Sequence, residues 1–144
     1  MRLAVVSNGH AILGLQYVGR EVSVQAPSDS PSRKLADQVG AYLSDSAFRF
    51  DLPLQWRVSA FQRRVCEALQ NIRSGATESY GGLARRLNSA ARAVGGACRR
   101  NPFPLVVPCH RVVAASGIGG FSGATTGPML DLKRFLLRHE GVLI

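Results

Sequence analysis

In the run Pro108-Cys109-His110-Arg111 a thiol is followed directly by a protonatable ring and a guanidinium. Positive neighbours favour thiolate over thiol, and a thiolate is a nucleophile, so the run reads as a covalent-catalysis site with a depressed Cys109 pKa. The plainer alternative is a free cysteine that only fills core space. Cys66 and Cys98 lack such neighbours and read as structural. A cysteine nucleophile needs a base, and the base needs a group that orients it. His10 falls near a turn in an early β region, whereas His110 is adjacent to the thiol. Adjacent side chains on extended backbone point apart, so His110 would act through a bridging water. Glu140, at the end of the last predicted helix, is the candidate orienter, and an ordinary surface carboxylate is the competing reading.

A second unusual stretch is Ala90-Ala91-Arg92-Ala93-Val94-Gly95-Gly96-Ala97, helical in pattern although two glycines weaken it. At helical spacing Ala91, Val94 and Cys98 face the core and leave Arg92, Gly96 and Arg99 outside. Nearly bare backbone around arginines suits close approach to a nucleic-acid groove; tight helix packing would use the same small residues. Charge favours a polyanion. Net charge is +9, and residues 1–58 hold six basic and five acidic side chains against twelve and four in 59–144. The +8 half attracts polyanions through counterion release.

The elements that must position these residues divide near residue 58. Leu3 to Val6, Ala11 to Val18 and Glu21 to Val24, separated by Asn8-Gly9 and Gly19-Arg20, predict a small β-meander. Leu35, Val39 and Leu43 then recur at helical spacing. From Ser59 a capping box with Gln62 starts a helix with Phe61, Val65, Leu69 and Ile72 on one face, ended by Gly75. Ser79 caps a second helix with Leu83, Ala84 and Leu87, Asn88-Ser89 breaks it, and Ala90 to Arg100 forms a third, a helix-turn-helix pattern. Asn101-Pro102-Phe103-Pro104 cannot continue a helix, so Leu105-Val106-Val107 is predicted as a short buried strand. Residues 117–127 form a Gly-rich loop, and Leu132, Phe135 and Leu136 mark a last helix that Gly141 terminates. Three cysteines without Cys-x-x-Cys spacing and no secretory signal predict reduced thiols and a cytoplasmic protein. No apolar run is long enough to span a membrane.

Taken in order, Ala91-Arg92-Ala93-Val94-Gly95-Gly96-Ala97, Asn101-Pro102, Val107-Pro108-Cys109-His110-Arg111-Val112-Val113 and Leu136-Leu137-Arg138-His139-Glu140-Gly141 closely resemble the O6-alkylguanine-DNA alkyltransferases. These are also called methylated-DNA–protein-cysteine methyltransferases, and the resemblance covers essentially all of 59–144. It implies a shortened, ribonuclease H-like α/β domain over 1–58. Over 59–144 it implies a mainly α domain with a winged helix-turn-helix. Cys109 is then the alkyl acceptor, with His110 as its water-mediated base, Glu140 as orienter and Asn101 supporting the active-site turn. Tyr80 would hydrogen-bond the guanine ring and help rotate the 3′ phosphate, and Arg92 would fill the gap left by a flipped nucleotide. Backbone at Cys109, Val112 and Ser122 would read the flipped base, and Pro104 would line the alkyl pocket. Ala90, Ala91, Arg92, Ala93, Gly95, Gly96 and Arg99 would contact DNA.

The resemblance implies a monomer acting on double-stranded DNA containing O6-alkylguanine, with O4-alkylthymine as a further substrate, and without membrane or cofactor. Human-type members hold structural zinc in the N-terminal region through cysteines and histidines. Residues 1–58 contain no cysteine and only His10, so no metal is expected. Two departures bear on the pocket: Phe121 stands where many members have tyrosine, and residues 123–128 make a longer loop than usual. Two other function classes compete. A lesion sensor would bind and flip the base without transfer, but such sensors lack a cysteine at the Cys109 position. A Cys-His-Glu hydrolase explains the nucleophile but neither the +8 half nor the Arg92 helix.

Overall fold

The computed structural model describes residues 1–121 and 124–144. Its fold is mixed α/β, and the chain divides into two compact units: Met1–Arg57 with Pro102–Val106, and Val58–Asn101 with Val107–Ile144. A single cut near 58 does not foresee that residues 102–106 pack with the first unit.

In the first unit β1 (Arg2–Ser7) and β2 (Ile12–Val18) form an antiparallel pair with Leu3 opposite Tyr17 and Val5 opposite Leu15. The turn between them is built by Asn8, whose Oδ1 accepts from the N–H of His10 (2.9 Å) and Ala11 (2.8 Å). The expected third strand does not form. The N–H of Val22 folds back on the Gly19 carbonyl at 3.3 Å, and Val24 is 75% exposed, so this segment has neither a ladder nor a core face. Helix α1 (Ser30–Ser44) starts at Asp29, which accepts from the N–H of Ser32, with Pro31 in the first turn. It buries Leu35 and Tyr42 and leaves Leu43 51% exposed. At 100° per residue, position 42 returns almost to the direction of 35, whereas 43 lies well to one side. Tyr42 therefore takes the place expected for Leu43.

The segment expected as a strand over 105–107 is a turn. Leu105 has φ +74, a left-handed conformation uncommon for a side chain of its size, and the two prolines before it remove ladder donors. Burial was legible there, because Phe103 through His110 are all buried, but extension was not. The N–H of Leu15 donates to Pro102 O (2.9 Å) and Trp56 meets Phe103 edge to face at 4.9 Å, which ties Pro102–Val106 into the first unit.

The second unit opens with α2 (Ala60–Gln70), capped by Ser59 Oγ, which accepts from the N–H of Gln62 at 3.1 Å. The reciprocal half of the capping box is replaced. Gln62 is buried and its Nε2 donates to the carbonyl of Ala97 at 2.8 Å. Ala97 lies in α4 (Ala91–Arg99). Between them come β3 (Glu78–Ser79) and α3 (Tyr80–Arg86), capped by Ser79, whose Oγ accepts from Gly82 N–H at 2.9 Å. Asn88, at φ +52, makes the break between α3 and α4. The chain then forms a 3-10 turn over Cys109–Arg111 and β4 (Val112–Val113), which pairs in parallel with β3. Helix α5 (Pro128–His139) closes the unit and Gly141, at φ +88, ends it. Its buried stripe is Leu130, Lys133, Leu136 and Leu137, while Phe135 is 53% exposed and stacks on His139. The helix is thus rotated from the face read off Leu132, Phe135 and Leu136. In α4, Val94, Ala97 and Cys98 are buried and Ala91, expected inward, is exposed.

Candidate active site

Cys109 begins the 3-10 turn, and its N–H donates to the Val107 carbonyl at 2.9 Å. The same carbonyl accepts from Asn101 Nδ2 at 2.8 Å, so Asn101 braces the approach to the turn. Pairing of β4 with β3 brings the start of α3, and with it Tyr80, beside this turn. The thiol is only 4% exposed. It opens on a cavity of about 540 Å³, a volume in the range of small-molecule sites. Tyr80 and Phe121 supply its aromatic walls, α4 contributes Ala91, Arg92, Gly95, Gly96, Cys98 and Arg99, and Ala124 and Thr125 lie across the loop. Gly119, at φ +72, lets that loop run against Tyr80: a Cβ there would come within 3.3 Å of the ring and 3.1 Å of the Ala114 nitrogen.

Behind the thiol is a buried ionic cluster. His110 and Glu140 are 0% and 6% exposed, and Nε2 lies 2.8 Å from Glu140 Oε2. Arg111 grips the same carboxylate with Nε at 2.9 Å and Nη2 at 3.1 Å, and its Nη1 donates to the Ile72 carbonyl. Glu140 is therefore no ordinary surface carboxylate. Burial lowers the His110 pKa below its ordinary value; the bond to Glu140 and that carboxylate's charge act in the opposite direction. A neutral ring beside an acceptor-only carboxylate carries its proton on Nε2. Nδ1 is then the basic nitrogen, and it is buried without a hydrogen-bond partner among the described residues.

One electrostatic expectation is overturned. Burial raises the Cys109 pKa rather than depressing it, because the cost of desolvating a thiolate exceeds the help it receives. Arg111, expected to supply that help, is turned to Glu140 and Ile72. The opposing, lowering influences are hydrogen bonding by the Asn101 side chain and the charge of Lys133. Burial also pushes Cys66 up to about 11, Cys98 up to about 12 and the Tyr80 phenol up to about 12. Tyr80 is consequently a neutral donor, with its hydroxyl 3.4 Å from the Gly120 carbonyl.

The other residues singled out from the sequence scatter more widely. Arg92 and Arg99 are exposed at the cavity edge and have no ion pair among the described residues. Ala90 and Ala93 are exposed on the same helix end, where α4 has no side-chain cap. Val112 is fully buried, its N–H donating to the Cys109 carbonyl and its own carbonyl accepting from Lys133. Pro104 does not line the cavity and belongs to the first unit, carried there by the Leu105 turn. Ser122 lies outside the described residues. Lys133 was missed. It is 0% exposed and donates to the carbonyls of Val112 (2.7 Å) and Gly120 (2.9 Å), and its spacing from Leu130, Leu136 and Leu137 was the available signal. Among the described residues no group of three His, Cys, Asp or Glu side chains is placed to hold a metal ion.

A helical unit that buries a thiol next to a His-Glu pair, with arginines at the mouth of its cavity, has the makings of a cysteine-nucleophile site. Residues 60–142 match the family described as 6-O-methylguanine DNA methyltransferase, DNA binding domain. The chain is 43% identical over 131 residues to the methylated-DNA–protein-cysteine methyltransferase of Thermococcus kodakarensis, covering 90% of this chain and 71% of that protein. It is 48% identical over 107 residues to the same-named protein of Mycolicibacterium paratuberculosis, covering 72% of this chain and 62% of that one. It resembles the crystal structure of Mycobacterium tuberculosis OGT in complex with DNA at TM-score 0.76 and 34% identity, covering 96% of this chain and 85% of that one. The chain belongs to the 6-O-methylguanine DNA methyltransferase family.

Proposed function

We propose that this chain repairs DNA by moving an alkyl group from O6 of guanine onto Cys109, once per molecule. The observation that carries this is the buried Cys109 thiol opening on the cavity, with His110 and Glu140 paired behind it. An O6-alkyl group inside a duplex reaches a fixed thiol only if its nucleotide is extruded, at a cost of about a few kcal/mol. The uncapped start of α4 presents free N–H groups to phosphate, and its small residues allow close approach to the minor groove, as the second helix of a helix-turn-helix. Arg92 takes the place vacated by the flipped nucleotide, and the base enters the cavity between Tyr80 and Phe121.

His110 Nδ1 then takes the thiol proton through a water, while Glu140 holds Nε2–H and balances the imidazolium that forms. The sulfur attacks the alkyl carbon in line. A carbon–sulfur bond forms as the carbon–O6 bond breaks, and the electron pair leaves on guanine, where the neutral Tyr80 hydroxyl donates a hydrogen bond to the ring. The thioether has no route back to thiol, so turnover is single. The wider reading is of a cytoplasmic monomer with access to chromosomal DNA, carrying a shortened ribonuclease H-like first domain and a winged second one.

The test is intact mass after incubation with a duplex containing O6-methylguanine. One methyl added at Cys109, and none in Cys109→Ala, is the expected result. Folded protein that binds the lesion tightly without gaining mass would replace transfer by the sensor reading.

A further inference from the structure

Arg111 takes no part in the proton path from Cys109 to His110, yet its guanidinium makes three hydrogen bonds behind the thiol. Nε donates to Glu140 Oε1 at 2.9 Å and Nη2 to Oε2 at 3.1 Å, a fork that takes both carboxylate oxygens. Nη1 donates to the carbonyl of Ile72, just past the end of α2. The turn that follows Ile72 also closes on Glu140: at Gly75, with φ +87, a Cβ would stand 3.1 Å from the Glu140 carbonyl oxygen. The Glu140 side chain is 0% exposed, so water does not compensate its charge. Its Oε2 is shared, since His110 Nε2 lies 2.8 Å from the same atom.

The charges of this cluster can be counted. One carboxylate, one guanidinium and a neutral imidazole sum to zero. Without the guanidinium the buried carboxylate would face His110 alone, and an opposite charge in direct contact favours the imidazolium. An imidazolium carries protons on both nitrogens, so Nδ1 would have no lone pair for the thiol proton. We infer that Arg111 is the positioning residue that keeps His110 a free base: by neutralising Glu140, it lets that carboxylate hold Nε2–H without drawing a second proton onto Nδ1. The other groups facing His110 are Lys133 from α5 and Cys109 from its own turn; of the buried residues of α2, which packs on the turn, only Cys66 titrates. Burial is the main cause that lowers the His110 pKa. The bond to Glu140 and its charge raise it, and the charge of Arg111 lowers it again, ahead of that of Lys133. The inference rests on the alkyl-transfer reading only for its purpose, because the cluster needs no DNA to form.

The experiment follows the His110 Cε1–H resonance against pH by NMR, without DNA, in the wild type, Arg111→Met and Arg111→Lys. With three histidines in the chain, His10, His110 and His139, assignment is direct. The wild-type midpoint is expected below about 6.5, and in Arg111→Met it should rise by about one pH unit or more, a tenfold gain in imidazolium at a given pH. Arg111→Lys, which keeps the charge without the fork, should lie closer to wild type. Equal midpoints in the Met and Lys variants, or a Met variant that matches wild type because Glu140 takes the proton itself, would overturn the inference. Arg111→Met combined with Glu140→Gln removes both charges and strands neither. Its midpoint should return to within about half a unit of wild type, and one displaced by a full unit would refute the charge balance even if Arg111→Met alone does not fold. The acid limb of methyl transfer should follow the same order. If the midpoints behave as expected and no methyl is taken from O6-methylguanine, the proposed function fails and the role of Arg111 stands; transfer with unmoved midpoints gives the reverse.

Discussion

On the inner side of Cys109, His110, Glu140 and Arg111 satisfy one another, each buried or nearly so, with N to O distances of 2.8 to 3.1 Å. On the outer side, Arg92 and Arg99 stand exposed at the cavity and α4 begins without a side-chain cap. Apart from His110 Nδ1, the inner side has spent its polar groups on itself, so removing one member strands the others in a medium that cannot solvate them. The outer side has unspent groups that water solvates until a polyanion replaces it. Reactivity and stability are coupled on the inner side, whereas recognition on the outer side is free of stability.

The largest break in that comparison is expected from Glu140→Ala. It leaves Arg111 without its counter-charge and His110 Nε2–H without an acceptor, which costs about 3–5 kcal/mol in urea denaturation. Methyl transfer at a temperature where the variant is folded should drop about a hundredfold or more, as an unoriented base predicts. Unchanged stability would show that the cluster is not a unit. Arg92→Ala is the converse. Stability should stay within about 0.5 kcal/mol, while transfer from duplex DNA slows about tenfold and iodoacetamide labelling of Cys109 keeps its rate. Slower labelling would mean that Arg92 acts on the thiol rather than on DNA.

The smallest effect is a dependence of stability on pH. His110 has a lowered pKa in the folded state, so the unfolded chain takes up its proton first as pH falls. The stability contribution is present above about pH 6.5, the unfolded value, and is lost as pH falls toward the folded one. Between pH 7.5 and 5.5 this adds a slope of at most about 1.4 kcal/mol per pH unit, and His110→Gln should remove that part of it. An identical slope in the variant would contradict the buried neutral imidazole.

Much of this site was legible from local pattern. Ser59 and Ser79 as helix caps, the break at Asn88, and Cys109 and His110 as candidates follow from residue type and short spacing, whereas Glu140, thirty residues from His110, competed with an ordinary surface carboxylate until folding brought the two together. Errors arose where one periodicity fitted two answers. Leu43 and Tyr42 are neighbours on α1, and only packing of the first unit chose the tyrosine. Buried Leu105 to Val107 suited a strand, yet the prolines and the left-handed Leu105 bend the chain instead.

The sequence by itself marked Cys109 as the candidate nucleophile and determined the bare arginine-bearing helix and the concentration of positive charge in residues 59–144. Each is a property of composition or of residues within one or two helical turns. Only the tertiary structure decided which charges act on the thiol. Arg111 is two residues away and committed to Glu140, while Lys133, twenty-four residues away, is buried with its ammonium on the Val112 and Gly120 carbonyls. Electrostatic influence depends on distance in space and on burial, and a linear chain encodes neither until it has folded.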